Sequence, residues 1–107
     1  MSAYLGEFEQ LLLLALLRLG PGTGTPAIRD AVADGSRRTI WLGAVFTTLE
    51  RLEAKGLVAS TLIEPDGGGR RRRTWTLAPA GEQALGTAYD TWTRMTRGLE
   101  PRLENLK

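Results

Sequence analysis

Hydrophobic residues fall along this chain first at helical spacing, then in alternation, then at helical spacing again. From Ala3 to Leu19 the pattern predicts a helix with Leu5, Phe8, Leu12, Ala15, Leu16 and Leu19 on one stripe. Leu11, Leu13, Leu14 and Leu17 widen that stripe almost to the whole circumference, so this helix has to be covered on more than one side. A second subunit is the expected cover; the alternative is that the last helix of the same chain folds back over it. Gly20 to Gly24 reads as a turn. Thr25 stands as an N-cap with Pro26 in the first helical position, opening a second helix from Pro26 to about Asp34, with Ala27, Ile28, Ala31 and Val32 inward. Gly35 to Arg38 turns the chain into the segment around which the rest is organised, Arg37 to Gly56. Here Leu42, Val45, Phe46, Leu49 and Leu52 mark the core side of a third helix, while Ala44, Thr47, Thr48, Arg51 and Lys55 point elsewhere. This helix is expected to start near Ile40, with Thr39 as its cap, and to stop at a left-handed Gly56.

Beyond Gly56 the period changes. Leu57 to Ile63 and Arg71 to Leu77 are β-branched and aromatic-rich runs joined by Pro-Asp-Gly-Gly-Gly, the pattern of a hairpin. Period two puts Arg73, Trp75 and Leu77 on one face and Arg72, Thr74 and Thr76 on the other. With Trp75 and Leu77 in the core, Arg72 points outward and the stem of Arg73 lies along apolar surface. The last helix is expected from Pro79 to about Asn105. Leu85, Tyr89, Trp92, Thr96, Leu99, Leu103 and Leu106 alternate at four- and three-residue spacings, the seam of a helix that pairs with another helix. Gly98 and Pro101 interrupt it, so the seam bends there or restarts as a short terminal turn.

Charge sharpens this picture. The net charge of the 107 residues is only +2. Residues 37–73, however, hold eight Lys/Arg against four Asp/Glu, and the remainder six against eight. The positive charge is thus gathered around the third helix and the hairpin. Arg37 and Arg38 precede that helix, whose dipole favours anions at its start. Its outward face is small and polar, with Gly43, Ala44, Thr47 and Thr48 where a surface helix ordinarily carries Glu and Lys. Arg70 to Arg73 crowd the hairpin tip, with no acidic neighbour in sequence beyond Glu64 and Asp66. The chain contains neither Cys nor His, which removes disulfides, thiolate and imidazole metal sites and His-based acid–base catalysis. No cofactor or catalytic site is implied. The apolar run Leu11 to Leu17 is too short for a membrane span, and Glu7 and Glu9 stand where a signal peptide would be basic, so a cytoplasmic, nucleoid-associated protein is expected.

A helix followed by a basic hairpin is the layout of a winged helix-turn-helix, the hairpin being the wing. The fold class is therefore mainly α with a small β-hairpin. Residues 1–78 form the DNA-binding part and residues 79–107 a C-terminal dimerisation helix, as one compact unit.

The segments LGEFEQLLLLALLRLG, TIWLGAVFTTLERLEAKGLVAS and GGGRRRRTWTLAPAG resemble the PadR family of bacterial winged-helix transcriptional repressors. That family's pattern reads LGExExxVLLALL, then SLGAVYTTLDRLExKGLV, then GGRRRRYYRLTPAG, and the likeness spans nearly the whole chain. A single helix after the wing is similar to the family's short subgroup. The sequence departs from the pattern at Gly24-Thr25, where the family has Tyr-Gly, at Trp41 for Ser, at Phe46 for Tyr, and at Ala78 for Thr. Trp41 is expected to cover the first turn against the second helix, the alternative being contact with the DNA backbone.

The resemblance implies a sequence-specific DNA-binding regulator, expected to be a repressor, acting as a homodimer on an inverted-repeat operator. Its DNA contacts would come from Arg37, Arg38, Thr39 and Trp41 at the helix start, and from Gly43, Ala44, Thr47, Thr48 and Arg51 along the helix. Arg70, Arg71, Arg72 and Arg73 would add contacts from the wing. Dimerisation would use Leu11 and Leu14 with Leu85, Tyr89, Trp92, Thr96, Leu99 and Leu103. Some relatives hold flat aromatic molecules in the dimer interface against a tryptophan of the last helix, which makes Tyr89, Trp92 and Met95 a candidate effector pocket. The plainer alternative is that Trp92 simply fills the interface. A rival from another class is a winged-helix protein–protein interaction module that does not bind DNA. An enzyme has no nucleophile–base pair to support it.

Overall fold

The structure, a computed structural model, describes residues 5–65, 67 and 69–107. Its first helix, α1, spans Glu7–Leu19, and Leu5 and Gly6, within the helix the apolar pattern predicts, are not helical. Gly6 is its cap, in extended backbone, and the Glu9 carboxylate accepts the Gly6 N–H at 3.0 Å. Ala3, within the expected helix, lies outside the described residues. Leu5, Leu12, Leu13, Ala15 and Leu16 are buried, so the inward sector includes Leu13 and leaves out Leu19. The reason is coverage from within the chain: α1 packs against four other elements, among them the last long helix. Cover by the chain's own helix, the alternative reading, thus holds for part of α1, while Leu14 and Leu17 stay exposed.

After α1 a two-residue strand, β1 (Thr23–Gly24), leads into α2 (Thr25–Ser36). Thr25 is not the cap; Gly24 is, and the Thr25 hydroxyl instead accepts the Trp75 indole N–H at 2.9 Å in the core. Helix α2 runs past Asp34 to Ser36, whose hydroxyl donates to the Val32 carbonyl at 2.6 Å, and Arg37 in left-handed backbone (φ 57°) ends it. Ile28 and Val32 are buried and Ala31 partly so, but Ala27 faces solvent. Helix α3 (Leu42–Ala54) starts after Trp41 rather than at Ile40, with no side-chain cap, so Thr39 does not have the expected role. The Val45 N–H donates to the Trp41 carbonyl at 3.2 Å, closing the first turn. At the other end Gly56 (φ 77°) is left-handed as expected. Its N–H reaches the Glu53 carbonyl and that of Leu57 reaches Leu52, both at 2.9 Å, a pattern that satisfies two otherwise orphaned carbonyls.

The wing comprises β2 (Val58–Ile63) and β3 (Arg72–Leu77), paired antiparallel from Val58↔Leu77 to Ile63↔Arg72. β1 adds to the other side of β3, with Thr23↔Trp75 and Gly24↔Thr74, so the sheet has order β1-β3-β2 and Trp75 lies on its central strand. Two residues are too few to show a period, and β1 falls in what the sequence presents as a turn. Of the expected hairpin turn, Asp66 and Gly68 lie outside the described residues.

Helix α4 (Pro79–Thr96) is anchored at its start. A Cβ at Gly81 would collide with the Leu57 carbonyl oxygen, while the Ala78 N–H donates to that same oxygen at 3.0 Å. Glycine is therefore what lets the helix lie directly on the backbone entering β2. The helix does not reach Asn105. It stops at Thr96, turns through Gly98 (φ 83°), and restarts as α5 (Glu100–Glu104) with Pro101 in its first turn. The core gathers Leu12, Leu13 and Leu16 of α1, Ile28 of α2, Val45, Leu49 and Leu52 of α3, and Trp75, all fully buried.

Candidate nucleic-acid interface

Val45, Leu49 and Leu52 draw α3 onto the core and so fix which of its faces is turned out. Leu42, Gly43, Ala44, Thr47 and Arg51 are exposed along that face. Thr48 is not; at 3% exposure it belongs to the core side, against the expectation that it points toward base edges. Three residues after Val45 and four before Leu52, it borders the buried sector on the side away from Leu42 and is covered together with it. Its hydroxyl accepts a hydrogen bond from the Arg51 guanidinium at 3.2 Å, so it orients a candidate contact instead of making one.

The segment entering α3 is open. Arg37 and Thr39 are exposed, and Arg38 pairs with Glu7 of α1 at 2.7 Å. Trp41 does not cover the first turn against α2: its side chain is 76% exposed. Trp41 is the cap residue, in extended backbone (φ −82°, ψ 135°), and so stands outside the helical turns it is expected to cover.

The four wing arginines divide. Arg73 is held inside, its guanidinium carbon 5.2 Å from the Trp75 ring centroid and 5.5 Å from that of Phe46, two rings in edge-on contact at 5.9 Å. It also pairs with Glu50 at 3.4 Å and Glu53 at 3.9 Å. Glu53 in turn accepts the Ser60 N–H at 3.0 Å and the Ser60 hydroxyl at 2.6 Å. Arg73 thus ties the wing to α3, which leaves Arg70, Arg71 and Arg72 as the exposed cations. Arg71 pairs with Glu64 at 2.9 Å, and Arg72 meets no carboxylate among the described residues. Glu50 and Glu53 are the acidic partners that neighbours in sequence did not reveal. Their i,i+3 spacing on the helix before the wing is the one signal that could have pointed to them.

A second ion pair fixes α1 to the end of α3. Lys55 Nζ lies 2.8 Å from the Glu9 carboxylate. Burial pushes the Glu9 carboxyl up, but hydrogen bonds from Lys55 and the Gly6 N–H, with the charges of Lys55 and Arg51, outweigh it and bring it below the ordinary carboxylate range.

An open groove of 1040 Å³ runs between α1 and α4, bordered by Leu14, Leu57, Tyr89, Trp92 and Met95. It brings the three candidate effector residues together. Tyr89 is 73% and Trp92 68% exposed, whereas Leu85 is buried in the chain's own core and Leu11 half-buried beside it. Thr96 is half-buried, its hydroxyl donating to the Trp92 carbonyl at 2.8 Å, and Leu99 and Leu103 are exposed. Among the described residues no helix is long and apolar enough to cross a membrane, and no acidic cluster could hold a metal ion.

The fold has counterparts among solved structures. A PadR family transcription regulator from hypervirulent Clostridium difficile R20291 superposes with a TM-score of 0.76 at 21% identity, covering 92% of this chain and 99% of that one. A PadR-like transcription factor from Bacteroides fragilis gives 0.74 at 20% identity, over 87% and 86% of the two chains. The PcaV transcriptional regulator from Streptomyces coelicolor, solved in complex with its natural ligand, gives 0.67 at 19% identity, over 91% of this chain and 62% of that one. At such identities the likeness is one of fold. No curated protein matches the chain. The profile described as "Transcriptional regulator PadR-like family" matches residues 13–95. That stretch covers the helix-turn-helix, the wing and nearly all of α4, and the chain belongs to the PadR-like family, whose members regulate transcription and are not enzymes.

Proposed function

We propose that this chain represses transcription as a cytoplasmic, nucleoid-associated homodimer, binding an inverted-repeat operator in double-stranded DNA. The observation that carries the proposal is the pairing of a bald α3 face, Gly43, Ala44 and Thr47, with a wing fixed beside it by Arg73. In this reading α3 enters the major groove, Thr47 and Arg51 approach base edges, and Arg37, Arg38 and Thr39 hold flanking phosphate. Arg70, Arg71 and Arg72 hold the adjacent backbone or minor groove. Residues 79–107 pair across the two-fold axis, with Leu14, Tyr89, Trp92, Leu99 and Leu103 exposed and available for that contact. Two α3 helices then meet half-sites about one helical turn, roughly 34 Å, apart.

The groove that gathers Tyr89, Trp92 and Met95 is the place we assign to an effector, a flat aromatic molecule being the chemistry its rings favour. PcaV, a transcriptional regulator of similar fold, is itself a ligand-binding protein.

Gel mobility of the purified chain on the DNA upstream of its own gene, at low and moderate salt, tests the proposal. A retarded complex that survives excess unrelated duplex, with a footprint symmetric about a two-fold centre, is the expected result. Equal retardation of every duplex would overturn the sequence-specific operator, and no retardation of any duplex would overturn DNA binding itself and leave the protein–protein interaction module as the reading to pursue.

A further inference from the structure

Trp41 is the most exposed tryptophan of the chain, and it stands at the mouth of α3. Its backbone is nonetheless fixed, because its carbonyl accepts the first helical hydrogen bond, from Val45 at 3.2 Å. A rigid backbone carrying a bare indole is preorganised to present that ring to something outside the chain. Leu42, the next residue, is also exposed, so the leading edge of the helix is apolar although Arg37 and Arg38 stand just before it. Gly43 supplies an independent sign of close approach on this side. Even in the first turn, where it stands, glycine is a poorer helix former than alanine, whose advantage reaches about 1 kcal/mol in a helix interior. Yet its φ is not left-handed, and a Cβ there would meet no atom within 4 Å. Nothing in its own fold asks for glycine at this position.

Polar phosphates cannot use an apolar ring edge, whereas the major groove has one apolar feature that differs between bases, the C5-methyl group of thymine. The first residues of a helix lying in that groove are the ones that reach base edges. Resting on the operator reading above, we infer that Trp41, seconded by Leu42, is a specificity-determining residue that covers a thymine methyl in each half-site. The cations beside it hold the backbone, and the indole supplies a preference at one base position.

The test separates methyl from base. An operator is obtained by selection from random duplexes, and each thymine in turn is replaced by deoxyuridine, which removes only the methyl group. Binding of the wild type and of Trp41→Ala is then followed by fluorescence anisotropy. One thymine per half-site should matter to the wild type by about fourfold, the factor that corresponds to roughly 0.8 kcal/mol per buried methyl. Replacing it in both half-sites should then cost about sixteenfold. Trp41→Ala should bind thymine and uracil operators alike, at about the wild-type affinity for the uracil one. Because Trp41 lies outside the core, its removal should leave the melting temperature unchanged. Tight binding by the wild type that is indifferent to every such replacement, or equal losses in wild type and variant, overturns the assignment of Trp41 alone. Failure to select or bind any duplex sinks the operator reading and this inference with it.

Discussion

Thr25 and Trp75 stand 50 residues apart and share one buried hydrogen bond that joins the second helix to the central strand of the wing. A buried indole N–H left without an acceptor costs about 1–3 kcal/mol. Thr25→Val keeps the shape and removes the acceptor, so thermal or urea unfolding should show a loss in that range. An unchanged midpoint would mean that another group takes over the bond. Arg73 and Arg72 form a sharper pair, because neighbours in sequence do different work. Arg73 stacks on Phe46 and Trp75 and meets Glu50 and Glu53, while Arg72 points outward without a carboxylate among the described residues. Arg73→Ala should lower the unfolding midpoint and weaken binding to all duplexes through a loosened wing. Arg72→Ala should leave stability alone and reduce the slope of log affinity against log salt by about 0.9, the share of one phosphate contact. Equal effects of the two substitutions on stability would remove the distinction.

At the scale of elements, the helices and the wing hairpin were legible because each repeats one period over many residues. What escaped was decided by single contacts across the fold. Thr48 reads as outward when the core side of α3 is drawn from Leu42, Val45, Phe46, Leu49 and Leu52; the exposure of Leu42 turns that side toward Leu52 and takes in its neighbour Thr48. The start of α1 was hidden in the same way, since nothing in the spacing of leucines reveals that Glu9 accepts the N–H of the cap residue Gly6 and also receives Lys55. This double use of Glu9 has a pH signature. Its folded-state pKa lies below the ordinary value, so the unfolded chain binds the proton more readily and stability rises with pH across that interval. The contribution is complete above the ordinary carboxylate pKa and is lost as pH falls through the lowered one. Glu9→Gln should therefore flatten the acid limb of a stability-against-pH curve while changing its shape near neutrality little. Gly43 adds an element-scale trade-off. Gly43→Ala should stabilise α3 by up to about 1 kcal/mol and yet weaken operator binding, because the added methyl stands on the face proposed to meet DNA. A variant that gained stability and bound as well as the wild type would take that face out of the interface.

At the scale of the whole molecule, shape and surface say the same thing. The chain measures 57 × 32 × 20 Å with a radius of gyration of 15.7 Å, whereas a compact domain of this length is expected near 13 Å. The excess matches an arm: α4 is held by the core only at its beginning, where Gly81 and Leu85 are buried. From there Tyr89, Trp92 and Met95 of α4, then Leu99, Leu103 and Leu106 in and beside α5, continue outward, all exposed. An apolar arm of this kind is stable in water when a partner covers it, and large exposed patches of this sort mark interaction sites. With a second copy as that partner, the break at Gly98 lets α5 turn and add Leu99 and Leu103 to the same contact. The groove beside Trp92 then becomes a site enclosed by two chains. Charge placed at its centre should be intolerable in the dimer and harmless in the monomer. Trp92→Glu is therefore expected to shift the chain from dimer to monomer in sedimentation or light scattering while helical circular dichroism is retained. Operator affinity should fall steeply with it, since each half-site would then be bound alone. If Trp92→Glu stays dimeric with unchanged affinity, the arm pairs through another face, and the two half-sites must be joined some other way.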